Sequence, residues 1–201
     1  MKTFLHVGCG PQNQSQIKGF DNDDWKEIRF DIDENVNPDI VGTLTDMKLV
    51  KTGSVDAVYS SHNIEHIYPH EVRTALKEFY RVLKDDGIVV ITCPDLQGVC
   101  EAVVNDRLLE PLYETNEGVK VSPIDILYGY RIDVAKGNEY MAHKGGFTYS
   151  ALNSSFFEVG FKARYGGRFQ EGREYNLFLV AFKEEVPEEK IKKIANPFFP
   201  S

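Results

Sequence analysis

Two glycines and two carboxylates carry the first chemistry legible in this chain. Phe4 to Val7, with His6 in it, is a short apolar and partly β-branched run, and Gly8 and Gly10, flanking Cys9, interrupt it at once. Glycine permits a sharp turn from strand to loop and removes the Cβ that would hold a ligand away from the backbone. Further on, a second strand-like run, Glu27-Ile28-Arg29-Phe30, ends in Asp31-Ile32-Asp33. A glycine turn at one strand tip and a carboxylate for sugar hydroxyls at the next is the layout of an adenosyl site. The same Gly-x-Gly pattern also serves as an ordinary tight turn.

A second group is His62-Asn63-Ile64-Glu65-His66, which fits H-x-x-E-H, the pattern of inverted zinc peptidases. On a helix the three side chains would share one face, as metal ligands must. The context argues otherwise: the motif sits on a strand tip and the next helix starts by Pro69, whereas a peptidase embeds it in a long helix. The sequence therefore predicts no metal site and places these residues at a pocket edge. His62 is directed at substrate, with Glu65 and His66 in helix packing or substrate contact. Cys9, Cys93 and Cys100 are odd in number and lack C-x-x-C spacing, so reduced thiols in a cytoplasmic protein are expected. Cys9 reads as a small apolar residue, not a nucleophile.

The elements that position these residues follow from the apolar pattern. The 201 residues suit one domain with a substantial core. A net charge of −8 disfavours nucleic acid or an anionic membrane as main partner. The longest apolar runs are too short to span a bilayer, and no secretory signal is evident. Short strand candidates at 3–8, 27–31, 39–42, 55–60 and 87–93 alternate with helix or loop, which implies a parallel sheet with crossovers. The connection from Pro11 to Trp25 has room for a short helix at best. Val72, Ala75, Leu76, Phe79, Tyr80 and Leu83 recur at helical spacing, with Asp85-Asp86-Gly87 as the stop.

Residues 96–146 change character and read as an insert over the ligand-bearing edge of the sheet. They hold Tyr128, Tyr130, Arg131 and Tyr140, a cluster read as the insert's own small core or as acceptor contacts, and His143 and Lys144, read as facing the pocket or as solvated loop residues. Helix resumes at Thr148 and stops at Gly160, and 162–169 and 174–182 form a hairpin turning at Glu171-Gly172. Residues 184–201 are a short tail whose Phe198 and Phe199 can dock on the domain or on a partner.

Leu5-His6-Val7-Gly8-Cys9-Gly10, Asp31-Ile32-Asp33 and Ser54 to His62 stand in the order found in class I S-adenosylmethionine-dependent methyltransferases, and the chain resembles their small-molecule branch. Ile64-Glu65-His66 and Glu78-Phe79-Tyr80-Arg81-Val82-Leu83-Lys84-Asp85-Asp86-Gly87 continue the likeness through Pro94-Asp95; it is weaker over 143–182 and absent from 96–142. The resemblance implies a Rossmann-like α/β fold: a seven-stranded, mostly parallel sheet, a C-terminal antiparallel hairpin, and a helical lid at about 96–146. It implies S-adenosyl-L-methionine as cofactor. Its methionine half would meet His6, Gly8, Cys9 and Gly10, and its ribose Asp31, with Asp33 as understudy. Ile32, Leu44, Thr45 and Asp46 would edge the adenine, although Gly42-Thr43-Leu44 replaces the family's usual Gly-Asp-Ala. Ser60, Ser61 and His62 end the fourth strand, where donor and acceptor meet. Methyl transfer to a small-molecule acceptor by in-line displacement is expected, with His62 or His143 as base. A cofactor-binding protein without transfer, a nicotinamide oxidoreductase and a nucleic-acid methyltransferase are the alternatives, and a homodimer stays open.

Overall fold

A computed structural model describes residues 1–115, 118–171 and 174–200. Its main sheet has seven strands: β1 (Lys2–Val7), β2 (Trp25–Asp31), β3 (Ile40–Val41), β4 (Val55–Ser61), β5 (Leu83–Pro94), β8 (Ala163–Glu171) and β9 (Glu174–Phe182). The spatial order is β3-β2-β1-β4-β5-β9-β8. The first five strands run parallel; β9 joins antiparallel to β5, and β8 antiparallel to β9. The expected architecture is therefore present. The predicted turn at Gly172 lies outside the described residues.

Strand alternation gives the sheet two apolar faces. On one, Leu5, Val7, Val58, Val89 and Ile91 pack against α1 (Val72–Val82) and α5 (Tyr149–Val159). α1 buries Val72, Ala75, Leu76, Phe79 and Val82, then passes straight into β5 at Leu83 without using Asp85-Asp86-Gly87 as a stop. α5 has the expected ends: the Thr148 hydroxyl accepts the Ala151 N–H, and Gly160 closes the helix at φ +115°.

Among the described residues, no α-helix covers the first part of the opposite face. Between β1 and β2 there is only a 3-10 turn, Gln14–Gln16, and Phe4, Ile17 and Phe20 would be open to water. The tail fills the gap. It runs through α6 (Glu188–Ala195) to Phe198, whose ring lies 4.8 Å from that of Phe20, and Phe199, stacked 5.4 Å from Phe169. Of the two destinations left open for these phenylalanines, the domain itself is the one used.

The segment from 96 onward contains α2 (Leu96–Val104), a hairpin of β6 (Tyr113–Glu114) and β7 (Lys120–Val121), α3 (Pro123–Tyr128) and α4 (Arg131–Ala135). Its core is aliphatic (Val99, Ala102, Leu112 and Ile126), and Tyr175 of β9 packs against it. This corrects the aromatic-core reading: Tyr128 and Tyr140 are 66% and 55% exposed. Neither belongs to that cluster.

Candidate active site

The parallel strands end on one edge, and there the chain opens into a cleft of about 430 Å³. Gly8, Gly10, Asp31, Ile32, Asp33, Leu44 and Thr45 line it, joined by His62, Asn63 and His66. Gly8 turns the chain out of β1 at φ +68°, and a Cβ there would stand 2.2 Å from the Asn63 amide nitrogen. The left-handed backbone and the close approach of Asn63 favour glycine at that point. The turn is tied to the neighbouring strand: Gly10 N–H donates to Asp31 Oδ2 at 2.8 Å, and Asp33 N–H donates to Oδ1 at 2.9 Å. Each carboxylate oxygen keeps a second acceptor position. Asp33 spends one oxygen on the Asn35 N–H, capping the turn Glu34–Val36.

Other expected residues lie elsewhere, for local reasons. His6 points to the opposite face of the sheet, where Nδ1 meets Glu27 Oε1 at 2.7 Å beside the Tyr59 ring. Burial lowers its pKa against the pull of Glu27. Cys9 is buried outside the cleft lining, and burial pushes its thiol up to about 11, so it stays a protonated apolar residue. Asp46 faces solvent, paired with Lys48 at 2.8 Å. Ser60 is fully buried, and the Ser61 hydroxyl is bonded to that of Thr92 at 2.8 Å. None of these five lines the cleft.

A second cavity, of about 330 Å³, lies under the insert. Tyr113, Val121, Ile126, Tyr130 and Tyr175 supply much of its wall, and Glu65 and His143 its polar end. His62, His66 and Met141 line both cavities and so form the partition between them. His62 holds a left-handed backbone, φ +47°, uncommon for a residue with a side chain. Its side chain is 44% exposed, but into this concave junction, and desolvation there lowers its pKa to about 4. His143 reaches about 4 for the same reason, with the neighbouring His66 adding to the effect. Both imidazoles are neutral at pH 7.

Backbone bonds fix the partition. Lys144 and Gly145 N–H both donate to the Glu65 carbonyl, at 2.9 and 3.0 Å, clamping the end of the insert onto the turn Ile64–His66. Glu65 itself is 1% exposed, neither carboxylate oxygen has a hydrogen-bond partner among the described residues, and burial raises its pKa to about 8. Sequence reasoning missed Asn63, Tyr140 and Met141 as cleft residues. Asn63 carried one signal, its place within two residues of the β4 tip; Tyr140 was named only in the insert's aromatic cluster, and nothing marks Met141.

Residues 5–91 match the family described as "Methyltransferase domain". That stretch, under half of the chain, is similar to methyltransferase domains. No curated protein matches the sequence. Among solved structures, a SAM-dependent methyltransferase from Methanosarcina mazei is 13% identical with TM-score 0.59, covering 92% of this chain and 93% of its own. An S-adenosylmethionine-dependent methyltransferase from Mesorhizobium loti is 16% identical, TM-score 0.59, with 90% of each chain covered. One from Archaeoglobus fulgidus is 14% identical, TM-score 0.58, covering 90% and 86%. At these identities the likeness establishes the fold. This chain has the fold of a family in which S-adenosylmethionine is the methyl donor. Its cleft fits that compound: a side-chain-free turn at Gly8, open space where a Cβ of Gly10 would stand, and a carboxylate with acceptor capacity to spare.

Proposed function

We propose that this methyltransferase alkylates a small molecule held in the 330 Å³ chamber, with its donor in the 430 Å³ cleft alongside. The observation that carries this reading is the shared wall: His62, His66 and Met141 face both spaces. Gly8 and Gly10 receive the methionine half of the donor, Asp31 its ribose, and Ile32, Leu44 and Thr45 its adenine. Because Asp46 is turned to solvent, the backbone around Gly42–Leu44 meets the adenine edge. The bound donor supplies a methyl group on a sulfonium, activated enough that the protein chiefly has to align and dehydrate the reactants.

The residues of the chamber do that work. Residues 96–146 act as its lid, excluding water through Val121, Ile126 and Tyr130. Neutral His62, at the partition, takes the proton of an acceptor that must lose one. His143 is the weaker candidate for that role, because its Nδ1 is held by the Ile126 carbonyl at 2.6 Å and it stands on the chamber side alone.

The test uses donor labelled on its methyl group, incubated with an extract separated into small-molecule and macromolecular fractions. Label is expected in the small-molecule fraction. The Val121→Trp variant, which fills the chamber, is expected to lose at least 100-fold in turnover while binding S-adenosylhomocysteine as tightly as before. Label in protein or nucleic acid, or undiminished turnover by Val121→Trp, overturns the proposal.

A further inference from the structure

We propose that Glu65, His66 and His143 form a binding site for a divalent transition-metal ion, set at the polar end of the chamber beside the cleft. Each of the three offers a ligand atom, and these atoms all lie within 4.8 Å of one another. Two imidazoles and one carboxylate are a donor set suited to zinc, cobalt or iron in the divalent state, with coordination positions left over.

The histidines are oriented for this role. His66 Nδ1 is 3.2 Å from the Ala142 carbonyl oxygen, and His143 Nδ1 is 2.6 Å from that of Ile126. A carbonyl oxygen can only accept, so both Nδ1 atoms carry the proton and both Nε2 atoms present a lone pair. Backbone carbonyls behind imidazole ligands set tautomer and ring direction in this way at metal sites. The rings meet edge to face, centroids 4.7 Å apart.

Glu65 supplies the independent observation. A carboxyl group 1% exposed whose oxygens make no hydrogen bond of ordinary geometry, with only the backbone of Glu65 and Asn63 acting on it more weakly, lacks the partners that normally accompany burial. The cation next to His143 does not serve it: the Lys144 ammonium sits 5.2 Å over the Tyr68 ring. An ion between the Glu65 carboxyl group and the two imidazoles would satisfy all three. Tetrahedral ligands about 2.1 Å from a metal stand roughly 3.4 Å apart, so the three atoms must draw in by up to about 1.4 Å.

This is not the peptidase use of H-x-x-E-H. The third ligand comes from the far end of the insert, and His62, 3.6 Å from Glu65 Oε1, stands beside the cluster. All three ligands line the chamber, so the remaining positions face the acceptor. The acceptor class this favours is a molecule with a ligating oxygen, sulfur or nitrogen atom, a deduction resting on the chamber being the acceptor site.

Full-length protein, stripped with a chelator, is titrated with Zn²⁺ by calorimetry and with Co²⁺ by visible absorption. One equivalent is expected to bind, with tetrahedral or five-coordinate cobalt bands. Glu65→Gln and His143→Gln are each expected to weaken Zn²⁺ at least tenfold, and His70→Ala, an exposed histidine outside the cluster, to leave it unchanged. S-adenosylhomocysteine binding is followed in the same samples, together with thermal melts to confirm folding. Absent Zn²⁺ binding, or binding indifferent to both ligand variants, or equally weakened by His70→Ala, overturns the metal site. Loss of S-adenosylhomocysteine binding by the unmutated protein would instead strike the donor-cleft assignment, leaving the ion result to stand alone.

Discussion

Asp31 is asked to do two things with one carboxylate. It holds the glycine turn against β2 through the Gly10 and Asp33 N–H groups, and under the proposed assignment it turns its remaining acceptor positions to the ribose. Alanine there removes both functions. Asp31→Ala is expected to weaken S-adenosylhomocysteine 10- to 100-fold, roughly 1.4–2.8 kcal/mol, read by calorimetry. An unchanged affinity would detach Asp31 from the cofactor. The turn at Gly8 and Gly10 was legible in the sequence because the backbone itself calls there for residues without Cβ, whereas Asp31 was marked for the ribose and its bond to the Gly10 amide was not foreseen. His6 and Asp46 were misplaced for the converse reason. Proximity to the glycine turn or to the β3 loop says nothing about which way a side chain leaves, and His6 follows strand alternation to the far face. Glu65 and His66 were visible as a motif, but the residue that completes them, His143, is brought in only by the fold of the insert.

At the scale of elements, the insert is a small structure pinned at both ends. Leu96 N–H donates to the Phe147 carbonyl at 3.0 Å, and Lys144 and Gly145 close on Glu65. Its boundaries were readable from the loss of strand-helix alternation. Its interior was not, because four aliphatic residues spread over α2, a loop and α3 make no periodic signal. Inside it, Asp125 receives the Ser122 N–H at 3.0 Å and the Arg131 Nε–H at 2.6 Å. Burial pushes the Asp125 pKa up, but Arg131 and the backbone donors outweigh it and the net shift is down. A carboxylate with a depressed native pKa stabilises above its unfolded pKa, about 3.9, and that stabilisation is lost as pH falls through the native value. Amide exchange in α3 and α4, corrected for intrinsic rates, is therefore expected to hold steady from pH 7 to about 5 and to accelerate below about pH 4. Asp125→Asn should exchange faster than the unmutated protein at pH 7, and the difference should shrink in acid. A constant difference across that range would mean the ion pair contributes nothing to holding the insert.

For the whole molecule, the unusual feature is how the second face of the sheet is covered. With only a 3-10 turn between β1 and β2, burial of Phe4, Phe20 and Trp25 depends on residues contributed from the other end of the sequence. Phe198 sits in that gap, its ring 4.8 Å from Phe20 and 6.5 Å from Trp25, so close that a Cβ on Gly19 would meet it at 2.5 Å. The tail is thus part of the core and not an appendage. Removing a buried phenyl ring costs the lost transfer free energy plus a cavity term, about 3 kcal/mol for a site of this kind. For a chain of 201 residues that is a fall in Tm of roughly 6–12 °C. Phe198→Ala is expected to show this fall by calorimetric melting. Its S-adenosylhomocysteine affinity should stay within twofold of the parent, since neither Phe198 nor its aromatic neighbours line the cleft. A melt that does not move would mean the tail leaves the sheet in solution, with Phe20 and Trp25 then open to water. A shift of that size with the affinity intact would show that the back of the sheet and its ligand-bearing edge are stabilised separately, as their separate apolar clusters imply.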